Sequence, residues 1–281
     1  MKKTLFVTCF YDGLNNTILG GRTGRYHHYF HSLKTLLKTE ADFVIYTSGN
    51  EKNDLQEKIK PEVENQSVKF IEYELFEHPY HKYFQEKMNG IKTDRCNEIM
   101  HGKVIWMKNH LHEDYDYIYW IDCGLSHGGL FPHKYIYGTG FESYFNCTLF
   151  NPKLVNGLNS LDKITIIVAT QERHFMDLPP NINFYQTIPR RIYSHVVGGL
   201  FGGNVEKLKI FIQNYENVFN EMVSFGGLDR EEHLLTLLYD RHEDMFSPQF
   251  FTTWHHEDSD MSKYNVENEI YFYNIFEKLN N

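Results

Sequence analysis

Apolar and polar positions alternate along this chain in two different periods. The apolar run TLFVTCF predicts a strand over residues 4–10, and the apolar residues over 26–37 recur at helical spacing. Strand patterns and helix patterns alternate in this way as far as residue 242. Further strands are predicted over 43–48, 68–75, 115–121 and 163–170, and further helices over 51–60, 95–112, 205–222 and 230–242.

Strands that alternate with helices indicate an α/β domain with a mostly parallel sheet flanked by helices. No internal repeat or long linker divides the sequence, so we expect one domain over residues 1–281. In open sheets of this kind, ligands bind at the carboxyl ends of the strands. Asp122 follows the predicted strand 115–121 and would lie at such an end.

Composition and charge narrow the class of protein. Apolar residues make up 41% of the chain and charged residues 23%, which is typical of a globular protein. The net charge of −9 argues against nucleic acid as a partner. Residues 1–125 carry 16 basic against 18 acidic side chains, and residues 126–281 carry 12 against 19. The first half is therefore the better place for a phosphate-bearing ligand.

Cysteine spacing and the lengths of the apolar runs indicate a cytoplasmic protein. The four cysteines form no CxxC pair, so neither a zinc knuckle nor a disulfide framework is expected. The first apolar run is too short for a signal peptide, and no stretch approaches the roughly 20 apolar residues of a membrane span. Peripheral contact with the inner face of a membrane stays open.

The segment DYDYIYWIDCGLSHGG (114–129) runs an apolar strand directly into a carboxylate. A charge at the end of a buried strand is costly unless it is paired or binds a cation. Asp122 therefore has two interpretations, a turn-forming or capping aspartate or a cation ligand. The strongly apolar strand before it and the glycine-rich turns after it favour the second.

Two Gly-Gly pairs lie in HVVGGLFGGNVEKL (195–208), directly before a predicted helix. Paired glycines permit positive φ angles and close approach of a ligand to the backbone, and amide groups near a helix start favour anions. A tight strand-to-helix turn is the alternative. The segment predicts a glycine loop formed by Gly198, Gly199, Gly202 and Gly203.

Acidic residues and a late histidine complete the candidate chemistry. Asp229, Glu231 and Glu232 lie at the predicted start of a helix. Acids there complement the helix dipole or act as a general base beside a cleft. In FTTWHHEDSD (251–260), His255 is a candidate metal ligand, because neutral imidazole commonly binds metals.

Taken in order, these motifs resemble the shared core of GT-A glycosyltransferases. More closely, the chain resembles the WlaTC/HtrL family of bacterial glycosyltransferases, through the blocks TLFVTCFYDG, YIYWIDCGL, HVVGGLFGG and DREEHLLTLLY. The blocks span almost the whole chain. The resemblance implies a GT-A-like (Rossmann-like) fold in which residues 1–125 bind a nucleotide sugar and residues 126–281 bind the acceptor and carry catalysis.

The resemblance also implies a role for each motif. Asp122 and His255 would hold a divalent metal, Mn²⁺ or Mg²⁺, on the diphosphate of the donor. Glu232, or its neighbour Glu231, would be the base that deprotonates the acceptor hydroxyl. The remaining roles are nucleotide-sugar binding by Thr8 and Phe10, diphosphate binding by Lys103, and an acceptor side at Gly198, Gly199, Gly202 and Gly203.

One position departs from the family pattern, because Gly124 replaces the second carboxylate of the usual Asp-x-Asp motif. The diphosphate would then supply the remaining metal ligands. The implied reaction moves a sugar from a UDP-sugar to a hydroxyl of a glycan or lipid-linked glycan, in synthesis of bacterial surface polysaccharide or lipopolysaccharide.

Two other functions stay open at this point. A metal-dependent hydrolase of phosphate or nucleotide substrates would use the same acids and histidine without an acceptor. A carbohydrate-binding module would keep the fold without catalysis, and Gly124 is the feature that favours it.

Overall fold

The computed structural model describes residues 2–11, 25–39, 41–60, 67–83, 96–124, 150–169, 196–224, 231–251 and 271–281. Within these ranges the strands are β1 (Thr4–Phe10), β2 (Asp42–Thr47), β3 (Val68–Glu72), β4 (Tyr117–Ile121), β5 (Ile164–Ala169), β6 (Val196–Asn204) and β7 (Phe246–Phe251). The helices are α1 (Arg25–Leu36), α2 (Gly49–Ile59), α3 (Cys96–Lys108), α4 (Pro152–Ser160), α5 (Val205–Ser224), α6 (Glu231–Arg241) and α7 (Tyr271–Asn280).

The described strands form one seven-stranded sheet in the order β3-β2-β1-β4-β6-β5-β7. Strand β1 pairs in parallel with β2 and β4, and β5 pairs in parallel with β7. Strand β6 runs antiparallel to both of its neighbours, β4 and β5. This arrangement confirms the predicted fold class, an α/β fold with a mostly parallel sheet flanked by helices.

Helices cover both faces of the sheet, which explains why its central strands are apolar throughout. All seven residues of β1 are buried. Leu5 and Val7 face one layer, where they join residues of α3, α5 and α6. Phe6 and Phe10 face the other layer, where they join residues of α1, α2, α4 and α7. In the described part of the chain, no helix is long and apolar enough to cross a membrane.

The glycine-rich segment departs from its predicted form, because it is a strand and not a loop. Its residues lie within β6, hydrogen-bonded between β4 and β5. Glycine weakens a strand in general but suits a close approach of backbones. Gly202 has a φ of +143°, and a Cβ there would lie 2.3 Å from the carbonyl oxygen of Ile118. The contact between β4 and β6 therefore requires glycine at this position.

Candidate active site

The reversed direction of β6 brings distant parts of the chain together at the carboxyl edge of the sheet. Ile121, the last residue of β4, lies opposite Leu200. The N–H of Asp122 then donates to the carbonyl oxygen of Gly199 at 2.8 Å. Helices α3 and α6 pack on this face. The end of β4, the first half of β6 and the start of α6 therefore meet beside α3.

Lys103 of α3 is the centre of this meeting point. Its Nζ lies 3.0 Å from Oδ1 of Asp122 and 2.6 Å from Oε1 of Glu231. Nζ also donates to the carbonyl oxygen of Gly198 at 2.9 Å. The side chain is only 5% exposed. An ammonium has three N–H donors, so these three acceptors match its donors in number. We call Lys103, Asp122, Glu231 and Gly198 the Lys103 cluster.

Electrostatics keep Lys103 charged in this buried position. Burial alone lowers the pKa of a lysine, because it penalises the ammonium form. Here the charges and hydrogen bonds of Asp122 and Glu231 outweigh that effect and hold the pKa of Lys103 above its ordinary value. The cluster is therefore a buried cation between two acids, an arrangement that tolerates burial only while each partner is present.

Both carboxylate oxygens of Asp122 contact donors of the protein. Oδ1 accepts the indole N–H of Trp120 at 2.6 Å and lies 3.0 Å from the ammonium of Lys103. Oδ2 accepts a longer hydrogen bond from Nζ of Lys103 at 3.4 Å. The side chain is 32% exposed. The Asp122 carboxylate is therefore held by the protein and still partly open to a ligand.

Glu231, the first residue of α6, is the acid of the predicted pair that enters the cluster. Its residue surface is 3% exposed, and its Oε2 is buried without a hydrogen-bond partner among the described residues. Its neighbour Glu232 is half-buried, and its backbone carbonyl accepts the hydroxyl of Thr236 at 2.8 Å. A buried carboxylate oxygen without a donor is costly, so Oε2 of Glu231 is a candidate ligand contact.

Gly198 is required by the side chains that it faces. A Cβ at this position would lie 2.4 Å from Oε1 of Glu231 and 3.2 Å from Nζ of Lys103. The first Gly-Gly pair thus makes room for the ion pair and supplies a carbonyl oxygen to it. Of the other predicted glycines, Gly199 accepts the N–H of Asp122, and a Cβ on Gly203 would lie 3.2 Å from the carbonyl oxygen of Lys163.

Thr8 and Phe10, predicted to meet the nucleotide, do not join the Lys103 cluster. Phe10 packs in the layer opposite to α3 and α6, and the alternation of side chains along β1 puts Thr8 on that same face. Their exposed fractions are 0% and 3%. Directly after β1, on the α3 side, Tyr11 is half-buried, and its hydroxyl donates to the carbonyl oxygen of Tyr73 at 2.8 Å.

The metal site predicted from Asp122 and His255 is only partly visible. His255 lies outside the described residues. Among the residues that are described, no group of three or more His, Cys, Asp or Glu side chains could hold a metal ion. The ammonium of Lys103 already lies 3.0 Å from Oδ1 and 3.4 Å from Oδ2 of Asp122. The oxygens of Asp122 alone do not complete the shell of a divalent cation.

Sequence reasoning missed two members of this site. The indole of Trp120, two residues before Asp122, looked like a core side chain, yet its N–H holds Oδ1. The carbonyl oxygen of Gly198 was not considered as a ligand of Lys103. A buried tryptophan usually finds an acceptor for its N–H, so the Trp-x-Asp spacing was a signal for the first contact. No signal in the sequence pointed to the second.

The sequence matches no protein-family model and no curated protein. Solved structures that align with the chain do so at low identity and with TM-scores under 0.5. Mouse xyloside xylosyltransferase 1 in its apo form aligns with a TM-score of 0.47 and 14% identity, over 89% of this chain and 85% of that one. The 4-diphosphocytidyl-2C-methyl-D-erythritol synthase of Anaerococcus prevotii gives 0.39 and 10%, over 99% of both chains.

A third structure is the inositol-1-phosphate CTP transferase of T. maritima, which aligns with a TM-score of 0.39 and 14% identity, over 99% of this chain and 96% of that one. At these identities and TM-scores the alignments decide nothing about the chemistry of this protein. The chemistry of this protein has to be argued from the Lys103 cluster itself.

Proposed function

We propose that this protein transfers a sugar from a nucleotide diphosphate sugar to a hydroxyl group of a glycan. The observation that carries the proposal is the Lys103 cluster, in which a buried ammonium binds the carboxylates of Asp122 and Glu231 at the carboxyl edge of the sheet. That edge is where open α/β sheets bind their ligands. Buried charges arranged in this way are typical of functional sites.

The two carboxylates suit the two substrates. The carboxylate of Asp122, on a side chain that is 32% exposed, contacts the donor. Oε2 of Glu231, which is buried without a described partner, accepts the proton of the acceptor hydroxyl. We therefore assign the base to Glu231, the acid that the structure places beside Lys103, and not to Glu232.

The reaction that follows is a substitution at the anomeric carbon of the donor sugar. The bond from that carbon to the diphosphate oxygen breaks, and its electron pair leaves with the diphosphate. A new bond forms to the acceptor oxygen, whose proton passes to Glu231. General-base catalysis of this kind contributes about 10²–10⁴-fold to the rate. In the proposed reaction the donor is a UDP-sugar.

The test is a transfer assay with a panel of nucleotide sugars, with and without glycan acceptors, run both in Mn²⁺ and in a chelator. Glu231→Gln should lower kcat by about 10²-fold or more, and Asp122→Ala should abolish use of the donor. Glu232→Gln is the matched control, because it changes the neighbouring acid on the same helical turn. It should keep near wild-type turnover.

Three outcomes would count against the proposal. Unchanged turnover in a folded Asp122→Ala protein would remove the donor role. Loss of activity in Glu232→Gln with retention in Glu231→Gln would move the base to the other acid. Release of free sugar or phosphate at full rate without any acceptor would identify a hydrolase.

A further inference from the structure

The ammonium of Lys103 has all its hydrogen-bonding capacity engaged inside the protein. Its three partners are the carboxylate of Asp122, with Oδ1 at 3.0 Å and Oδ2 at 3.4 Å, Oε1 of Glu231 at 2.6 Å and the carbonyl oxygen of Gly198 at 2.9 Å. With the side chain 5% exposed, a phosphate oxygen could bind Nζ only by displacing one of them. Displacing Glu231 or the carbonyl oxygen of Gly198 would leave a buried acceptor without this donor, which is costly.

We propose that Lys103 is a positioning residue, which orients the carboxylates of Asp122 and Glu231 and makes no bond to the diphosphate of the donor. This inference rests on the proposed function, since it concerns the same site. It differs from the role that the family resemblance implies for Lys103. The ammonium holds the carboxylate of Asp122 and Oε1 of Glu231, and so leaves the exposed part of Asp122 and Oε2 of Glu231 for ligands.

The two acids depend on Lys103 to different degrees. Oδ1 of Asp122 has a second donor, the indole N–H of Trp120 at 2.6 Å. Among the described residues, the only hydrogen-bond partner of the Glu231 side chain is Lys103. Removing the ammonium therefore leaves Asp122 with the hydrogen bond from Trp120, while the Glu231 side chain loses its hydrogen bond. Because Asp122 serves the donor and Glu231 serves the chemical step, donor affinity should survive while kcat falls.

The experiment compares Lys103→Met with Lys108→Met. Lys108 lies on the same helix and pairs with Glu216 at the same distance of 2.6 Å, but at the surface, with exposed fractions of 48% and 31%. Calorimetry measures the Kd for UDP, and the transfer assay measures kcat. For Lys103→Met we expect a Kd within tenfold of wild type and a kcat lower by about 10²-fold, the usual effect of a 1 Å misplacement of a reacting group. Lys108→Met should change neither.

A Kd for UDP that rises tenfold or more in Lys103→Met would overturn the inference, because a lost charge-assisted bond to phosphate costs at least about that factor. An unchanged kcat would overturn it as well. If the wild-type protein binds no nucleoside diphosphate, the proposed function itself fails, and the inference falls with it. That outcome is visible before any variant is made.

Lys103→Met leaves two acids without their shared cation, and this can prevent folding. The double variant Lys103→Met/Glu231→Gln removes the buried negative charge together with the ammonium. Because this variant lacks the proposed base, its turnover is not used. Its Kd for UDP is compared with that of the wild type, with the same limit of a tenfold rise. Retained UDP binding in the double variant supports the positioning role, and a tenfold loss refutes it.

Discussion

Replacing Gly198 with alanine would place a methyl group 2.4 Å from Oε1 of Glu231 and 3.2 Å from Nζ of Lys103. Ordinary contact begins at 3.4 Å, so the Glu231 oxygen has to retreat by 3.4 − 2.4 = 1.0 Å. The atom that moves is the end of a side chain and not backbone. We therefore expect the fold to survive and the base to be displaced. A misplacement of about 1 Å at a reacting group lowers the rate by about 10²-fold.

Two measurements on Gly198→Ala check this reasoning, kcat in the transfer assay and the free energy of unfolding in urea. Gly203→Ala is the matched control, because Gly203 lies on the same strand and its new Cβ would meet only the carbonyl oxygen of Lys163 at 3.2 Å and more distant atoms. The reasoning is refuted if folded Gly198→Ala keeps a kcat within threefold of wild type. It is also refuted if Gly203→Ala loses as much activity.

Two further predictions concern stability. Gly202→Ala should lower the free energy of unfolding in urea by at least about 1–3 kcal/mol, because φ is +143° and the new Cβ meets backbone that cannot retreat; a smaller loss would contradict the strain argument. Burial and repulsion from His101 and His81 lower the pKa of His78 to about 3 in the folded protein. In the unfolded chain a histidine has a pKa of about 6.5, so as the pH falls the unfolded chain binds the proton before the folded protein does. Stability should therefore fall as the pH drops from 6.5 towards 3, by up to about 1.4 kcal/mol per pH unit. His78→Asn, whose oxygen can replace Nδ1 as acceptor of the Tyr80 N–H, should flatten that slope in urea titrations, and an unchanged slope would assign the pH dependence to other groups.

Local patterns were sufficient wherever an element is stabilised by its own amphipathic face. Helix α5 was predicted over 205–222 and spans Val205–Ser224, and β1 was predicted with its observed bounds. Strand β6 was missed because its stability comes from two neighbours that are distant in the sequence, and glycine-rich segments carry little strand propensity. Helix α4 was not predicted, although its start carries a signal in the sequence. Asn151 directly precedes Pro152, and its side chain accepts the Lys153 N–H.

The candidate site was predictable in kind but not in geometry. A carboxylate at the end of a buried strand requires a partner, and the structure supplies that partner from Lys103, 19 residues earlier. Whether Glu231 or Glu232 faces Lys103 depends on the rotation of α6 about its axis, which a single acidic pair in the sequence does not determine. Strand alternation puts Thr8 and Phe10 on the same face of the sheet. Which helices cover that face is known only from the structure.

The reversed strand β6 has a consequence for how the protein folds as it is synthesised. Lys103 emerges 95 residues before Gly198 and 128 residues before Glu231. Until β6 and α6 have been made, the countercharge and the carbonyl oxygen that make burial of Lys103 tolerable do not exist. Contacts over such sequence distances form late in folding. We therefore expect insertion of β6 beside β4 and completion of the Lys103 cluster to be one late event, so that a nascent chain without a closed sheet lacks this cluster.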